Sequence, residues 1–421
     1  MPALRPLVLA ALTALVGFVA LVEAGTGFTN KKVVSGYFPS YSMQPANVPY
    51  SLYTHIHWFV MTTTPDPSVI STAGISDSAI VDFVTRAKAA GVTTSYTIGG
   101  WTGSQYFSTH VSTPTNRVLF ANALVAVMNT YGFDGIDIDW EYPVVQGEGS
   151  NIISPQDSAN FLLFLQTLRS VAGENARLSM AANVAGLYGA DGTPLTDMSG
   201  FAAVLDYVTI MTYDITGTWS GFTGANSPLT SACSPSNNPY SITSGVNHFI
   251  AAGFQANHIL FGLPAYSYSY YVNLPFTQTT CSDGSTSSLI NYATTGTTCG
   301  NYIGNGQQYT YAQLVANGWF NTASRFRKFL DSAAYTVTLF QPSTGLFIPT
   351  ETPNTAWIKA KFAFRRRLAG VDMFDISGDS PNGGLATGLR QGLNLMTGTP
   401  PATRRMAKRH LEERRRKRSV H

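Results

Sequence analysis

Between Gly132 and Pro143 apolar and acidic residues alternate with period two, Ile136, Ile138 and Trp140 against Asp137, Asp139 and Glu141. Alternation of this kind predicts a strand, with every second side chain on one face. Short apolar runs of strand character recur at residues 32–39, 55–60, 93–98, 177–182, 206–214, 258–264 and 370–375. Between most of them lie stretches whose apolar residues return every three or four positions. These predict helices near residues 80–91, 116–129, 157–171, 242–252, 357–367 and 385–395. Eight strands alternating with helices make an α/β pattern, that of a (β/α)8 TIM barrel. The regularity lapses from about residue 267 to 344, where Tyr, Thr, Ser and Gly abound. That length exceeds an ordinary loop and predicts an inserted small α+β subdomain between strand seven and its helix.

The 421 residues, 44% hydrophobic and 12% charged, describe a globular chain with a large core, and 21 Tyr and 24 Phe suit an aromatic-lined groove. The start differs. Arg5 is followed by an apolar stretch and by Val22-Glu23-Ala24, which predicts a secretory signal over residues 1–24 and an extracellular product. A retained anchor is the alternative, but no stop-transfer pattern follows, so no stable membrane insertion is expected. The formal charge of +3 conceals a division: residues 404–418 hold nine Lys/Arg and two Glu, leaving the body between mildly acidic. Residues 399–421 therefore read as a basic disordered tail on a barrel body of residues 25–398. Binding of that tail to an anionic wall or membrane is a second reading, and nucleic-acid binding is not expected of a secreted chain. Three cysteines, Cys233, Cys281 and Cys299, predict one disulfide and one thiol. Three pairings are open, with Cys281–Cys299 the shortest closure and Cys233–Cys299 its rival.

The acidic face carries the chemistry. Carboxylates two apart on a strand lie roughly 6 to 7 Å apart along the backbone. On a partly buried face they cannot all ionise freely, so at least one is held protonated toward neutral pH, as a general acid requires. A solvated edge strand or a hard-cation cluster are the bland alternatives, and the Trp-bearing opposite face argues against exposure. His55 and His57 alternate on the second predicted strand, but no third ligand lies nearby, so they read as core or groove-lining residues. The pair Gly99-Gly100 at the end of the third strand allows a tight turn and close approach of another group. Tyr213 and Asp214 close the sixth strand.

Residues 134–141, Asp-Gly-Ile-Asp-Ile-Asp-Trp-Glu, are similar to the Asp-x-x-Asp-x-Asp-x-Glu signature of glycoside hydrolase family 18 chitinases, of the secreted fungal type. Thr97-Ile98-Gly99-Gly100 resembles the family's Ser-x-Gly-Gly, and Met211-Thr212-Tyr213-Asp214 its Met-x-Tyr-Asp. The likeness runs from about residue 33 to 395. Two places depart from it: Phe374 stands where the family usually has Trp, and Ser267-Tyr268 where it often has an Arg.

The resemblance implies a monomeric enzyme that needs no metal or cofactor and hydrolyses the β-1,4 linkages of chitin and chitooligosaccharides, endo-action being favoured. It implies substrate-assisted catalysis with retention. Glu141 is then the acid and base, Asp139 orients the acetamido group, Asp137 shares a proton with Asp139, and Tyr213 holds the acetamido oxygen beside Asp214. Tyr37, Gly99, Gly100, Trp101, Tyr142, Met211, Trp219, Tyr266 and Phe374 are the implied groove. A catalytically weak or inactive chitin-binding lectin of the same fold, or an endo-β-N-acetylglucosaminidase acting on N-glycans, are the alternatives.

Overall fold

The computed structural model describes residues 32–234, 238–272, 279–281, 285–287 and 302–396. The expected signal and tail, and Cys299, lie outside them. Eight parallel strands close on themselves: β1 (Val33–Pro39), β2 (His55–Thr63), β3 (Thr93–Gly99), β4 (Gly135–Asp139), β5 (Arg177–Asn183), β6 (Tyr207–Met211), β7 (Ile259–Pro264) and β8 (Gly370–Phe374). Each pairs with its sequence neighbours, and β1 pairs with both β2 and β8 to complete the ring. This is the (β/α)8 barrel that the periodicity predicts.

The surrounding helices carry their own start signals. Ser76, Thr113, Ser241 and Thr352 cap the helices Asp77–Ala89, Pro114–Tyr131, Ile242–Ala251 and Pro353–Arg365, each side chain accepting an otherwise unpaired backbone N–H. Ile136, Ile138 and Trp140 face the helical layer, where Trp140 stacks on Phe107 and packs edge-on to Phe161. At roughly 25 cal/mol per Å², such aromatic burial dominates what holds strand to helix.

After β7 the chain builds a five-stranded antiparallel sheet, ordered Tyr302–Thr310, Tyr266–Val272, Leu346–Thr350, Thr336–Gln341, Arg327–Asp331, with the short helix Tyr311–Ala316. It is the inserted α+β unit. Cys233 bonds to Cys281, across 48 residues of sequence, tying the loop after β6 to this insertion. Neither Cys281–Cys299, the shortest closure, nor its rival Cys233–Cys299 is formed; contact in space overrides closeness in sequence.

Two strand ends differ from expectation. β6 stops at Met211, because Thr212 donates to the Gly262 carbonyl and Asp214 turns into the left-handed region with φ 55°. β4 stops at Asp139, so Trp140 and Glu141 lie just past the strand. No helix among the described residues is long and apolar enough to cross a membrane.

Candidate active site

The C-terminal ends of the strands open into a groove of about 920 Å³. Asp139, Glu141, Tyr142, Gly99, Gly100, Trp101, Met211, Tyr213, Asp214, Trp219, Tyr266 and Phe374 all line it. Residues from six separate stretches of sequence thus converge on one cavity.

Asp137 and Tyr37 do not reach it. Asp137 points into the barrel and is fully buried, accepting from Thr97 Oγ1 at 3.0 Å and Ser179 Oγ at 2.6 Å. Its partners come from β3 and β5, the strands flanking β4, and stand directly beside it in register. Tyr37, expected to stack on sugar, is instead 1% exposed, with its ring on His57 and its edge under Phe374. The inward-facing positions of β1 are packed beneath the groove floor, which corrects that expectation.

Asp139 is buried, and its Oδ1 has no hydrogen-bond partner among the described residues. Burial, together with the charges of Glu141 and Asp137, holds its carboxyl well above the usual range. Glu141 is raised to about 7 by burial, offset in part by its contact with the Tyr142 hydroxyl and reinforced by Asp214. A buried orphan oxygen costs free energy unless something fills the gap, so it marks a place for an N–H donor.

Backbone bonds fix these two acids. Gly100 donates to the Asp139 carbonyl at 2.8 Å. A Cβ on Gly99 would sit 2.1 Å from that same oxygen, and Gly99 itself has φ 114°, so only glycine fits. Ser104 Oγ also donates to the Asp139 carbonyl and accepts from Glu141 N, while Asn151 holds the Glu141 carbonyl at 2.8 Å. Across the groove, Asp214 Oδ1 accepts from Tyr266 at 2.6 Å and Tyr268 at 2.9 Å, and its backbone N–H is held by Asn226. Burial raises the Asp214 carboxyl and the two phenols pull it back. Tyr268, noted in sequence only as a departure, is therefore part of the site.

The floor is aromatic. Phe374 lies against Tyr213 with ring centroids 5.7 Å apart and meets Phe59 edge-on. At the rim Tyr41, Trp101 and Trp219 stand 63%, 51% and 60% exposed. Tyr41, Asn183, Tyr188 and Tyr240 also line the groove and escaped the sequence reading. Three of these four lie in loops, where no period marks a side chain's direction. Asn183 ends β5, and an inward-pointing polar residue at a barrel strand's C-terminus was the available signal.

Residues 33–379 match the profile of the glycosyl hydrolases family 18. The chain is 32% identical to a chitinase-like effector of Moniliophthora roreri over 82% of its own length and 89% of that protein. It is 27% identical to chitinase A1 of Niallia circulans, over 67% of this chain and 40% of that one. A chitinase from Rhizomucor miehei superposes with a TM-score of 0.75 at 24% identity, covering 86% of this chain and all of the other. The chain belongs to glycosyl hydrolases family 18.

Proposed function

We propose that this protein is a secreted chitinase, endo-acting, in which Glu141 is the general acid and base. The observation that carries the reading is the ladder from Asp137 through Asp139 to Glu141, one buried and satisfied, one buried with an orphan oxygen, one opening on the groove with its acidity near neutral. Protonated Glu141 gives its proton to the glycosidic oxygen as that bond breaks. The carbonyl oxygen of the substrate's own acetamido group attacks the anomeric carbon and forms a cyclic oxazolinium. Asp139 Oδ1 accepts the acetamido N–H, which supplies the missing partner and stabilises the positive charge. The Tyr213 hydroxyl donates to the acetamido oxygen, with Asp214 beside it. Glu141, now ionised, takes a proton from water, which opens the ring from the same face, so configuration is retained.

The relatives named chitinases support the substrate class. Relatives named chitinase-like effectors, and Phe374 in the floor, favour a second reading as a chitin-binding protein of low turnover. Proton NMR of chitotetraose digestion separates these. Fresh β-anomer at the new reducing end is expected; α-anomer would sink the mechanism, and binding without cleavage would leave the second reading standing.

A further inference from the structure

His55 and His57 lie two apart on β2, both buried in the barrel, with ring centroids 4.6 Å apart. Their surroundings are opposite. His55 has each ring nitrogen against a hydroxyl, Thr93 Oγ1 at 2.8 Å and Ser95 Oγ at 3.0 Å. Burial, with Arg177 and His57, pushes its pKa well down, so it is neutral. Among the described residues His57 meets no hydroxyl on either nitrogen and is set between two acids instead. Nε2 is 3.2 Å from Asp372 Oδ2 on β8, and Nδ1 is 3.8 Å from Asp137 Oδ2 on β4. Both acids are fully buried, and Asp372 is further held by Thr209 Oγ1 at 2.9 Å.

The groups around His57 are Tyr37 on β1, stacked at 4.8 Å; His55 on its own strand; Asp137 on β4; Arg177 on β5; and Asp372 on β8. Burial disfavours an imidazolium here and Arg177 adds to that, but the fields of Asp137 and Asp372 outweigh them and raise its pKa. Two acids in a dry barrel without a cation between them would be costly. The imidazolium answers both at once.

Asp137 is the foot of the acidic ladder. With Thr97, Ser179 and His57 around it, its charge is compensated from below. Asp139, directly above, then feels less of that charge when it ionises.

We propose that His57 is a positioning residue for the catalytic carboxylates: an imidazolium set between Asp137 and Asp372 that places a positive charge beneath Asp139 and so eases its ionisation. It acts through Asp137 and touches no substrate. The inference rests on the chitinase reading, in which Asp139 must accept the acetamido N–H. Its expected signature is on the acid side of the pH profile, where Asp139 ionises. The alkaline side belongs to Glu141, whose acidity is governed by burial, Tyr142 and Asp214.

The test uses His57→Gln, which removes the charge, and His57→Lys, which restores one, both measured for pH-dependent hydrolysis. The acid limb of His57→Gln should move up by about one pH unit, the scale of one nearby buried charge, with the alkaline limb in place and His57→Lys returning toward wild type. An unmoved acid limb in folded His57→Gln would overturn the proposal. Imidazole 15N NMR of the wild-type protein is independent of turnover, and His57→Gln or His57→Lys assigns the resonance. Doubly protonated nitrogens at pH 7 are expected; a neutral His57 ring at pH 6 refutes the proposal whatever the activity. If the wild type hydrolyses nothing, the chitinase reading fails separately, and the pH dependence of chitotetraose binding then reads the same limb.

Discussion

Two places in this molecule bury acids in a largely dry setting, and they resolve the charge in opposite ways. Just before the helix Pro353–Arg365, Glu351 accepts from Thr355 Oγ1 at 2.7 Å and is paired with Lys359, whose ammonium also donates to the Ser227 carbonyl at 2.5 Å. Both side chains are buried, and each meets partners supplied by the chain itself. At the groove, Asp139 is as deeply buried yet keeps an oxygen without a partner among the described residues, none of which lines the cavity with a Lys, Arg or His. A satisfied pair holds the helix Pro353–Arg365 to the loop after β6. An unsatisfied acid is poised for a ligand, at a cost in stability.

The comparison breaks most sharply at the pair. Lys359→Met leaves Glu351 buried without a cation beside it, and should cost about 3–5 kcal/mol in thermal or denaturant unfolding. Replacing both partners by apolar residues should recover most of that loss. Were Lys359→Met neutral, the pair would not be holding the helix.

At the groove the sign reverses. The folded pKa of Glu141 is raised to about 7, above an ordinary glutamate. Its neutral form is therefore favoured by folding, and that advantage disappears as pH rises from about 4.5 through 7. Glu141→Gln should be more stable than wild type at pH 8, by roughly 3 kcal/mol, and equal to it at pH 4. Equal melting curves at both pH values would show that Glu141 is not strained by its setting. The same shift places the alkaline limb of activity near pH 7, with turnover lost above it as the acid ionises.

Smaller effects sharpen the picture on the far wall. Tyr268→Phe removes one of two phenols donating to Asp214 Oδ1, and kcat/KM should fall about tenfold, the loss of a hydrogen bond to a charged acceptor. An unchanged value would make Tyr266 alone sufficient. Phe374→Trp enlarges the aromatic floor and should tighten chitotetraose binding by a few-fold to about tenfold, read by calorimetry. Weaker binding would mean that the packing of Tyr37, Phe59 and Tyr213 around Phe374 leaves no room for the larger ring.

The barrel was readable because strands and helices differ in period, and β4 announced itself through its three alternating acids. Glu141 and Asp139 could be assigned to one face even though the strand ends between them. What escaped depends on three-dimensional neighbours. Tyr37 and Phe374 are both aromatic residues near strand ends, yet one is buried beneath the other. The importance of His57 is visible only once β8 brings Asp372 beside it, since an acid in a run as apolar as Val371-Asp372-Met373-Phe374 names no partner. Cysteine pairing failed for the same reason: Cys281 meets the loop after β6 through the folded insertion, not through proximity in sequence.

The central claim is tested most directly by fluorophore release from a chitotriose glycoside, using the protein from Gly25 onward beside its Glu141→Gln variant. Turnover by the wild type and a loss of roughly two to four decades in the variant are predicted for removal of a general acid. Equal rates would contradict the role given to Glu141, and two inactive proteins that both bind chitotetraose would contradict the enzyme.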